Sequence, residues 1–386
     1  MSAEAARRIG LLSLRNLSTH LSRCGIHEFE DLIAGAFEAA TIIAPRPGPA
    51  SALRLRMRNR LARLGGLQGL VPSGLAASVP AGGVDLFFFY AAVPRDLVAL
   101  DAVPDWRRRA GRAICWLQEL WIDDIPRAGR LLDILDRFDH VFCAMAATTP
   151  VLQERLSVPV SYLPWGVDTI LFSPLPSAPE RCIHVNNISR IAPRTHAALL
   201  DHARRRGWHY EFTSIRGGIF AHDTAEHRWL YAQRMKRSRY LISHMAKVAE
   251  RQERGRQEEF GLRYIEGIAG GAILLGDVID SPAFRAHLGW PDAVIPLPYD
   301  CAEAGEIIDA LDAQPERIAA ARRANMLNAL TRHDHLHRWQ AILDIAGLPP
   351  TAGMERRAGQ LAGLAAMLEA APAARPGAAC AGGRHG

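Results

Sequence analysis

The stretch Gly255–Asp277, GRQEEFGLRYIEGIAGGAILLGD, places two glutamates, Glu258 and Glu266, on either side of a short segment that carries a helical pattern. Small residues follow Glu266, and an apolar run, Ala272–Leu275, comes directly after them. This order predicts a loop, a short helix over about residues 261–268 and a buried strand behind it. A helix that leads directly into a buried strand is typical of α/β domains with parallel sheets.

Apolar runs alternate with amphipathic segments along most of the chain. One run, Val84–Ala92 (VDLFFFYAA), is apolar on both faces, which is typical of a central strand in a parallel sheet. A proline-rich stretch, Ser157–Glu180, separates a first series of strands and helices from a second series. The pattern predicts an α/β fold with two Rossmann-like domains, residues 1–176 and 177–349, in which the last helix of the second domain crosses back to the first.

The composition changes after Pro349, where alanine, glycine and proline dominate. A segment of this kind has too few large apolar side chains to form a core of its own. We therefore predict that residues 350–386 form a largely disordered tail, in which Gly353–Ala370 is the part most compatible with a helix.

Composition and charge narrow the classes of function. The formal net charge of +6 is spread along the chain, so a nucleic-acid partner is not predicted. The 6 cysteines lack the spacing of a metal site, a pattern typical of the reducing cytoplasm. No apolar run approaches the roughly 20 residues that span a bilayer. We expect a cytoplasmic protein.

The stretch around Glu258 and Glu266 also predicts a ligand. A helix that starts near Gly261 presents free N–H groups and the positive end of its dipole, which together favour an anion such as a diphosphate. A helix of about eight residues rises about 12 Å, so the two carboxylates cannot bind one small group. They can instead accept hydrogen bonds from hydroxyls at the two ends of a long ligand. A nucleotide-sugar has this arrangement, with a diphosphate between a sugar and a ribose.

Two motifs in a fixed order extend this interpretation. The first is EEFGLRYIEG, Glu258–Gly267, and the second is LPWGVDTILFSP, Leu163–Pro174. With these motifs and the alternating α/β pattern, the chain resembles the family-4-like retaining glycosyltransferases (glycosyl transferases group 1) over about residues 7–348. The resemblance implies a GT-B fold, in which two Rossmann-like domains face an interdomain cleft and the second motif leads into the hinge.

The resemblance also implies the residues of a donor site. It assigns Glu258 to the transferred sugar, as a catalytic residue, and Glu266 to the ribose. The other residues implied in donor binding are Arg190, Arg194, Lys247, Phe260, Gly261 and Leu262. This chain departs from the family in the spacing of the basic residues that follow the first strand of the second domain. Which of them contacts the diphosphate is therefore open, with Arg190 favoured.

Polar residues follow two predicted strands of the first domain and are expected to face the same cleft. Glu119 comes just after the carboxyl end of a strand, where it would orient the acceptor or serve as a catalytic base. A hydrogen-bonded structural glutamate is the alternative. Asn16 and His20 follow the first strand and are predicted on the acceptor side, with a helix N-cap as the alternative.

Two further segments have open interpretations. A predicted arginine-rich helix carries one apolar stripe, formed by Leu53, Met57, Leu61 and Leu64. This stripe either faces the core or makes a peripheral contact with the inner face of a membrane. His333 and His337 share a helix face, but no metal site is predicted there because carboxylate partners are not evident.

The sequence therefore predicts a retaining hexosyltransferase that uses a nucleotide-diphospho-sugar and needs no metal or other cofactor. The helix N-terminus and arginine would stabilise the diphosphate leaving group. A sugar-nucleotide epimerase of the same fold and a non-catalytic nucleotide-sugar-binding protein are the alternatives. The acceptor is open among a glycan, a lipid-linked glycan, a peptide and a small molecule.

Overall fold

The computed structural model describes residues 7–48, 50–63, 71, 74–77, 80, 82–188, 190–213 and 218–370. The strands of the first part are β1 (Ile9–Leu12), β2 (Ala40–Ile43), β3 (Arg46–Pro47), β4 (Leu75–Ala76), β5 (Val84–Ala91), β6 (Ala110–Leu117), β7 (His140–Cys143) and β8 (Val160–Tyr162). Six of them form a parallel sheet in the order β2-β1-β5-β6-β7-β8, and β3 pairs with β4 in a small antiparallel ribbon.

A second parallel sheet follows along the chain. Its strands are β9 (Ile183–Asn187), β10 (Tyr210–Phe212), β11 (Ser238–Ser243), β12 (Ile273–Gly276) and β13 (Ile295–Pro296). They are arranged in the order β10-β9-β11-β12-β13, and every neighbouring pair is parallel. Parallel strands need crossover connections, and helices provide most of them. The predicted α/β fold class is confirmed.

Helices surround both sheets. In the first part they are α1 (Cys24–Leu32), α2 (Ser51–Arg63), α3 (Ile125–Ala128), α4 (Thr148–Arg155) and α5 (Thr169–Phe172). In the second part they are α6 (Pro193–Arg206), α7 (Thr224–Arg237), α8 (Arg251–Arg254), α9 (Leu262–Ala269), α10 (Pro282–Leu288), α11 (Ala304–Asp312), α12 (Pro315–Asn328), α13 (His335–Ala346) and α14 (Ala352–Ala370). Helix α9 is the helix that the sequence predicted in the stretch after Glu258.

Strand β5 shows why the apolar run at residues 84–92 becomes a central strand. Phe87 packs on one face of the sheet, with its ring stacked on Trp106 at 5.0 Å between centroids. Phe88 packs on the opposite face, in edge-to-face contact with Trp339 at 5.5 Å. Because consecutive side chains of a strand point to opposite faces, a run of phenylalanines supplies core residues to both layers of helices.

Helix α13 returns from the second half of the chain to the first sheet. Its Trp339 is fully buried against Phe29 and Phe88, and the indole N–H donates to Glu38. This contact places the end of the second strand–helix series on a core formed by the first. The exact domain boundaries near residues 176 and 177 remain a prediction.

The segment Leu163–Pro174 lies against the start of α13. Val167 pairs with Asp334 in an isolated parallel bridge, and the carboxylate of Asp334 accepts hydrogen bonds from the N–H and hydroxyl of Thr169. Asp334 is fully buried. Although burial alone would raise its pKa, the guanidinium of Arg357 holds the pKa of Asp334 below its usual value.

Helix α14 covers the part of residues 350–386 that the sequence marked as compatible with a helix. Residues 352–370 are helical and packed, because Arg357 lies between the carboxylates of Asp168 and Asp334 and because Met354 and Leu361 are buried. A sequence window rich in alanine gives no sign of these distant carboxylates. The disorder predicted for residues 371–386 lies outside the described residues.

Helix α2 carries its apolar stripe on the outside in the part that the structure describes. Leu53 and Met57 are exposed, whereas Arg58 is buried and bonds the carbonyl oxygen of Val71. The interpretation that this stripe faces the core is therefore wrong for Leu53 and Met57, and Leu64 lies outside the described residues. None of the described helices has both the length and the apolar character needed to traverse a bilayer.

Substitution of Arg357 tests the packing of α14. Arg357→Ala leaves Asp334 as a buried carboxylate without its guanidinium, and breaking a buried pair costs about 3–5 kcal/mol. We expect the free energy of unfolding, measured by urea denaturation, to fall by about that amount. Arg356→Ala removes an exposed arginine from the same helix and should change it by less than about 0.5 kcal/mol. Equal losses in the two variants would contradict a packed α14.

Candidate functional site

The carboxyl ends of the two sheets lie opposite each other. Residues that follow strands of the first sheet contact residues that follow strands of the second: Glu119, after β6, pairs with Lys247, after β11. Gly25, the second residue of α1, lies against Leu262, the first residue of α9, so closely that a Cβ at Gly25 would be 3.1 Å from a methyl carbon of Leu262. The predicted cleft is thus bounded by the elements that the sequence placed there.

Helix α9 begins at this edge with its N-terminus uncapped. Gly261 is the N-cap residue, and no side chain bonds the first N–H groups of the helix. The free N–H groups and the helix dipole make this end a favourable place for an anion. The two residues after the N-cap are only partly buried, so the first turn is accessible from the cleft.

The segment before α9 is attached to the first domain by alternate residues. Glu259 is buried and accepts hydrogen bonds from the backbone N–H groups of Ala146 and Ala147, at the N-terminus of α4. Gln257 is also buried and donates to Glu259. Glu258, between them, is exposed. The backbone therefore turns Glu258 away from the anchored side, and the Glu258 carboxylate is available to a ligand.

The anchoring carboxylate was not identified from the sequence. Burial raises the pKa of Glu259, although hydrogen bonds from Gln257, Ala147 and Ala146 act in the opposite direction. The motif contains two adjacent glutamates, and only the fold determines which of them faces α4. Glu259 and Ala146 are 113 residues apart along the chain, so no local sequence pattern predicts their contact.

Glu266 is nearly buried and has an internal partner. Its carboxylate accepts a hydrogen bond from Arg228 of α7, and the same guanidinium binds Glu28 of α1 at 2.7 Å. Glu28 also accepts from the ring of His335. Burial alone would raise the pKa of Glu28, but the charge of Arg228 and the hydrogen bond from His335 hold that pKa far below its usual range. All of these groups are buried, so the cluster joins both halves of the molecule.

This buried cluster affects the role predicted for Glu266. A ribose contact requires the second carboxylate oxygen or a change of partner, because Arg228 already binds the first. Neither Glu28 nor Arg228 was singled out in the sequence. The sequence does contain one indication, which is a charged residue on an apolar helix face, as with Glu28 in IHEFEDL. This pattern predicts a buried charge but does not identify the residue that pairs with it.

Lys247 lies where the two domains meet. Its ammonium is 3.1 Å from Glu253 and 3.5 Å from Glu119, and it lies over the ring of Trp121. Burial alone would lower the pKa of Lys247, but hydrogen bonds to Glu253 and Glu119 raise it above its usual value. Lys247 is therefore a permanent positive charge at neutral pH. Its φ of 53° lies in the left-handed region, which side chains rarely adopt outside constrained sites.

Glu119 and His20 line one cavity of about 220 Å³. It opens at the carboxyl ends of β1, β5 and β6, and Phe220 from the second half of the chain closes one side, in edge-to-face contact with His20. His20 accepts a hydrogen bond from the N–H of Ser22, as the alternative N-cap interpretation expected, and also faces the cavity. The carboxylate of Glu119 accepts from the indole N–H of Trp121 at 2.6 Å.

The other predicted residues are more scattered. Asn16 is exposed and donates to the carbonyl oxygen of Ala44. Arg190 is exposed and pairs with Glu250, and Arg194 is exposed near the start of α6. Phe260 is buried. Its position below the N-terminus of α9 supports the helix, whereas Gly261 and Leu262 are only partly buried.

The histidines near residue 335 have separate partners. His333 is buried with a ring nitrogen 3.1 Å from the carbonyl oxygen of His287, while His335 contacts Glu28. Burial and the nearby charge of Arg338 lower the pKa of His333 well below its usual value. In the described ranges, no group of three or more His, Cys, Asp or Glu side chains is arranged to hold a metal ion.

Glu30 is a buried acid behind the first strand. Its carboxylate accepts hydrogen bonds from Ser13, at the carboxyl end of β1, and from Arg15. Burial raises the pKa of Glu30 to about 7, while Ser13 and Arg15 limit the rise. This acid supports the loop that leads to His20, but its 1% exposure keeps it away from a ligand.

Comparison with known proteins identifies the fold. No family model and no curated protein matches the chain. Among solved structures, HepE from Anabaena, in complex with UDP-glucose, is similar over 88% of this chain and 98% of its own, with 13% identity and a TM-score of 0.51. An α-glucosyltransferase in complex with UDP and a DNA 13-mer is similar over 89% of this chain and 100% of its own, with 12% identity and a TM-score of 0.52. The predicted GT-B fold is confirmed.

The raised pKa of Glu30 generates a prediction about pH. Its pKa is 4.5 when unperturbed and about 7 in the folded protein, so the folded state binds more protons between these values and stability falls as pH rises through them. The shift corresponds to about 3 kcal/mol. Glu30→Gln should therefore be more stable than the wild type at pH 8, by up to that amount, and should lose the advantage near pH 4.

Urea denaturation at both pH values measures this difference. Asp31→Asn is a matched control, because Asp31 contacts the same arginine, Arg15, from an exposed position. It should change the pH dependence only slightly, because the charge of Asp31 is the smallest contribution to the raised pKa of Glu30. Parallel pH curves for Glu30→Gln and the wild type would show that Glu30 titrates normally.

Proposed function

We propose that this protein is a retaining glycosyltransferase that transfers a hexose from a nucleotide-diphospho-sugar to a hydroxyl-bearing acceptor, without a metal ion. The donor would lie across the N-terminus of α9, and the acceptor in the cavity that Glu119 and His20 line. The solved structures with the same fold support the class of donor, because HepE was crystallised with UDP-glucose and the α-glucosyltransferase with UDP.

The uncapped N-terminus of α9 carries this proposal. It opens between the carboxyl ends of two parallel sheets, where open α/β folds bind their ligands. A diphosphate at this position would gain the partial positive charge of the helix and the N–H groups after Gly261. Both are fixed before the ligand arrives, which is the condition under which electrostatic groups stabilise a leaving group best.

Basic side chains near the same edge would supply full charges. Lys247 is held at the boundary of the domains by two carboxylates and stays protonated. Arg190 is the better placed of the two exposed arginines, because its pairing with Glu250 directs it toward the loop that carries Lys247. A diphosphate could replace Glu250 as its partner. Arg194 would contribute at longer range.

The two glutamates of the motif would have unequal roles. Glu258 is exposed beside the uncapped helix, so its carboxylate can accept hydrogen bonds from the transferred sugar and counter the positive charge that develops there. Glu266 would reach the ribose only through the oxygen that Arg228 leaves unused. Its pairing with Arg228 would also hold α9 in register with α1.

The cavity of about 220 Å³ supports an acceptor site. Its wall offers hydroxyl, imidazole, amide and carboxylate groups, and Phe220 adds one exposed apolar ring. Glu119 would orient the attacking hydroxyl, since its carboxylate is already directed by Trp121 and Lys247. An epimerase of the same fold would have no use for such a second site, so the cavity favours group transfer.

Two substitutions separate the roles of the glutamates. Glu258→Gln should leave the affinity for nucleoside diphosphate almost unchanged and lower turnover, because its proposed contact is with the reacting sugar. Glu266→Ala should lower the affinity for nucleoside diphosphate by about 10- to 100-fold, because a charge-assisted hydrogen bond is lost. Calorimetry with a panel of nucleoside diphosphates and turnover with the preferred donor measure both quantities.

A thermal melt distinguishes binding from structure for Glu266. Glu266→Ala also removes a partner of the buried Arg228, so its melting temperature is expected to fall. If the melting temperature falls and nucleotide affinity does not, Glu266 acts only inside the protein. If Glu258→Gln loses nucleotide affinity instead, the donor lies in the reverse direction.

Chelation tests the proposed independence from metal ions. Because the helix N-terminus and the basic residues would neutralise the leaving diphosphate, transfer should proceed at its full rate in excess EDTA. Product stereochemistry, read by NMR from the anomeric coupling, should match that of the donor. Activity that EDTA abolishes and Mn²⁺ restores would refute this part of the proposal, and release of an epimerised donor would indicate an epimerase.

A further inference from the structure

A second cavity, of about 350 Å³, lies at the opposite end of the second sheet from the proposed donor site. Arg181 comes just before β9, Arg239 is the second residue of β11, and both line the cavity. Arg322 of α12 lines it from a third direction. The volume falls at the lower end of the range for small-molecule sites.

The charges around this cavity are unbalanced. Asp312 is the one acidic residue among the side chains that line it, and Arg239 and the hydroxyl of Tyr240 already bind its carboxylate at 2.8 and 2.7 Å. Arg181 and Arg322 form no ion pair with any residue in the described ranges. Two guanidinium groups that have no acidic partner among the described residues therefore line the same partly open cavity.

Helix ends hold these two arginines in place. Arg181 donates to the carbonyl oxygens of Ser238 and Gly270, and Arg322 donates to that of Gly271. These carbonyl groups follow α7 and α9, where the helix dipole is negative, but they carry only partial charge. They fix the orientation of the arginines and do not neutralise them.

Electrostatics points in the same direction. Burial and the charge of Arg322 together lower the pKa of Arg181 to about 9. Burial also lowers the pKa of Arg322. A buried charge without a partner is costly to a folded protein, so a ligand that supplies negative charge would be stabilised here.

The N-terminus of α12 points to the same place. Pro315 is its first residue and lines the cavity, and Gln314 at the N-cap makes no side-chain cap. Pro315 has no N–H, so the free donors of this first turn are the N–H groups of Glu316 and Arg317, and the helix dipole adds a partial positive charge to the charges of the arginines. An oxyanion with two charges and several acceptor oxygens fits planar guanidinium donors and helix N–H groups together.

We propose that this cavity is a binding site for the phosphate group of a small phosphorylated molecule, contacted by Arg322, Arg181 and the N-terminus of α12. The site is independent of the donor cleft and of the proposed transfer reaction. It would be filled by inorganic phosphate alone or by a phosphomonoester that also occupies the remaining volume.

Calorimetry on the full chain tests the site with three probes. Glucose 6-phosphate and inorganic phosphate should bind, and glucose should not. Tighter binding of glucose 6-phosphate would identify a phosphomonoester site, and equal affinity would identify a site for phosphate itself. No heat with either phosphate probe would overturn the proposal and leave the arginines as caps of α7 and α9.

Variants locate the binding. Arg322→Gln should lower the affinity for the phosphate probes by about 10- to 100-fold, because a charge-assisted contact is lost. Arg317→Gln is the matched control, since Arg317 lies on the same helix, pairs with Asp292 and does not line the cavity. Arg239→Gln leaves the negative charge of Asp312 without its guanidinium partner and should also lower the affinity for the phosphate probes. This variant tests the site if Arg322→Gln does not fold. Equal affinity in wild type and Arg239→Gln, or in Arg317→Gln and Arg322→Gln, would count against the site.

Discussion

The ion pair between Glu28 and Arg228 is the contact on which the arrangement of the two sheets depends. Both groups are buried, and removal of Arg228 would leave two buried carboxylates, Glu28 and Glu266, without their guanidinium. Through Glu28 the pair reaches His335 and the backbone N–H of Asp168. Through Arg228 it reaches Glu266 on α9. One cluster thus sets the position of α9 relative to α1.

The cleft inherits its geometry from this cluster and from the anchored segment before α9. Arg228 fixes the middle of the helix, and Glu259 fixes the backbone that enters it by binding the N-terminus of α4. No side chain caps the first turn of α9 between these points, where the N–H of Tyr264 bonds the carbonyl oxygen of Gly261. Side chains that stabilise the domain interface therefore surround a short stretch of backbone that no side chain covers.

Local patterns in the sequence were sufficient for the elements and for the fold class. The run at residues 84–92 became β5, because a strand covered on both faces buries consecutive phenylalanines. The helix predicted over about residues 261–268 is α9, Leu262–Ala269. Both depend on side chains that lie close together along the chain.

Contacts between distant residues could not be predicted in the same way. Glu28 and Arg228 are 200 residues apart, and each is an ordinary charged residue within its own helix. Glu259 differs from its neighbour Glu258 only in the direction that the folded backbone gives it. Residues 352–370 contain few large apolar side chains, but the buried carboxylate of Asp334 binds Arg357 and holds that helix in place.

The attachment of Gln257 and Glu259 to the first domain has a consequence for domain motion. Glu258, the exposed residue between them, belongs to the second domain by its position in the chain. Its two neighbours, however, are hydrogen-bonded to the first domain. A hinge rotation that opens the cleft must either break the bonds of Glu259 to α4 or stretch the backbone between Glu259 and Gly261. In the first case Glu258 stays with the helix, and in the second it is carried away from it. In the second case, the angle between the domains sets the distance between this carboxylate and the N-terminal end of α9.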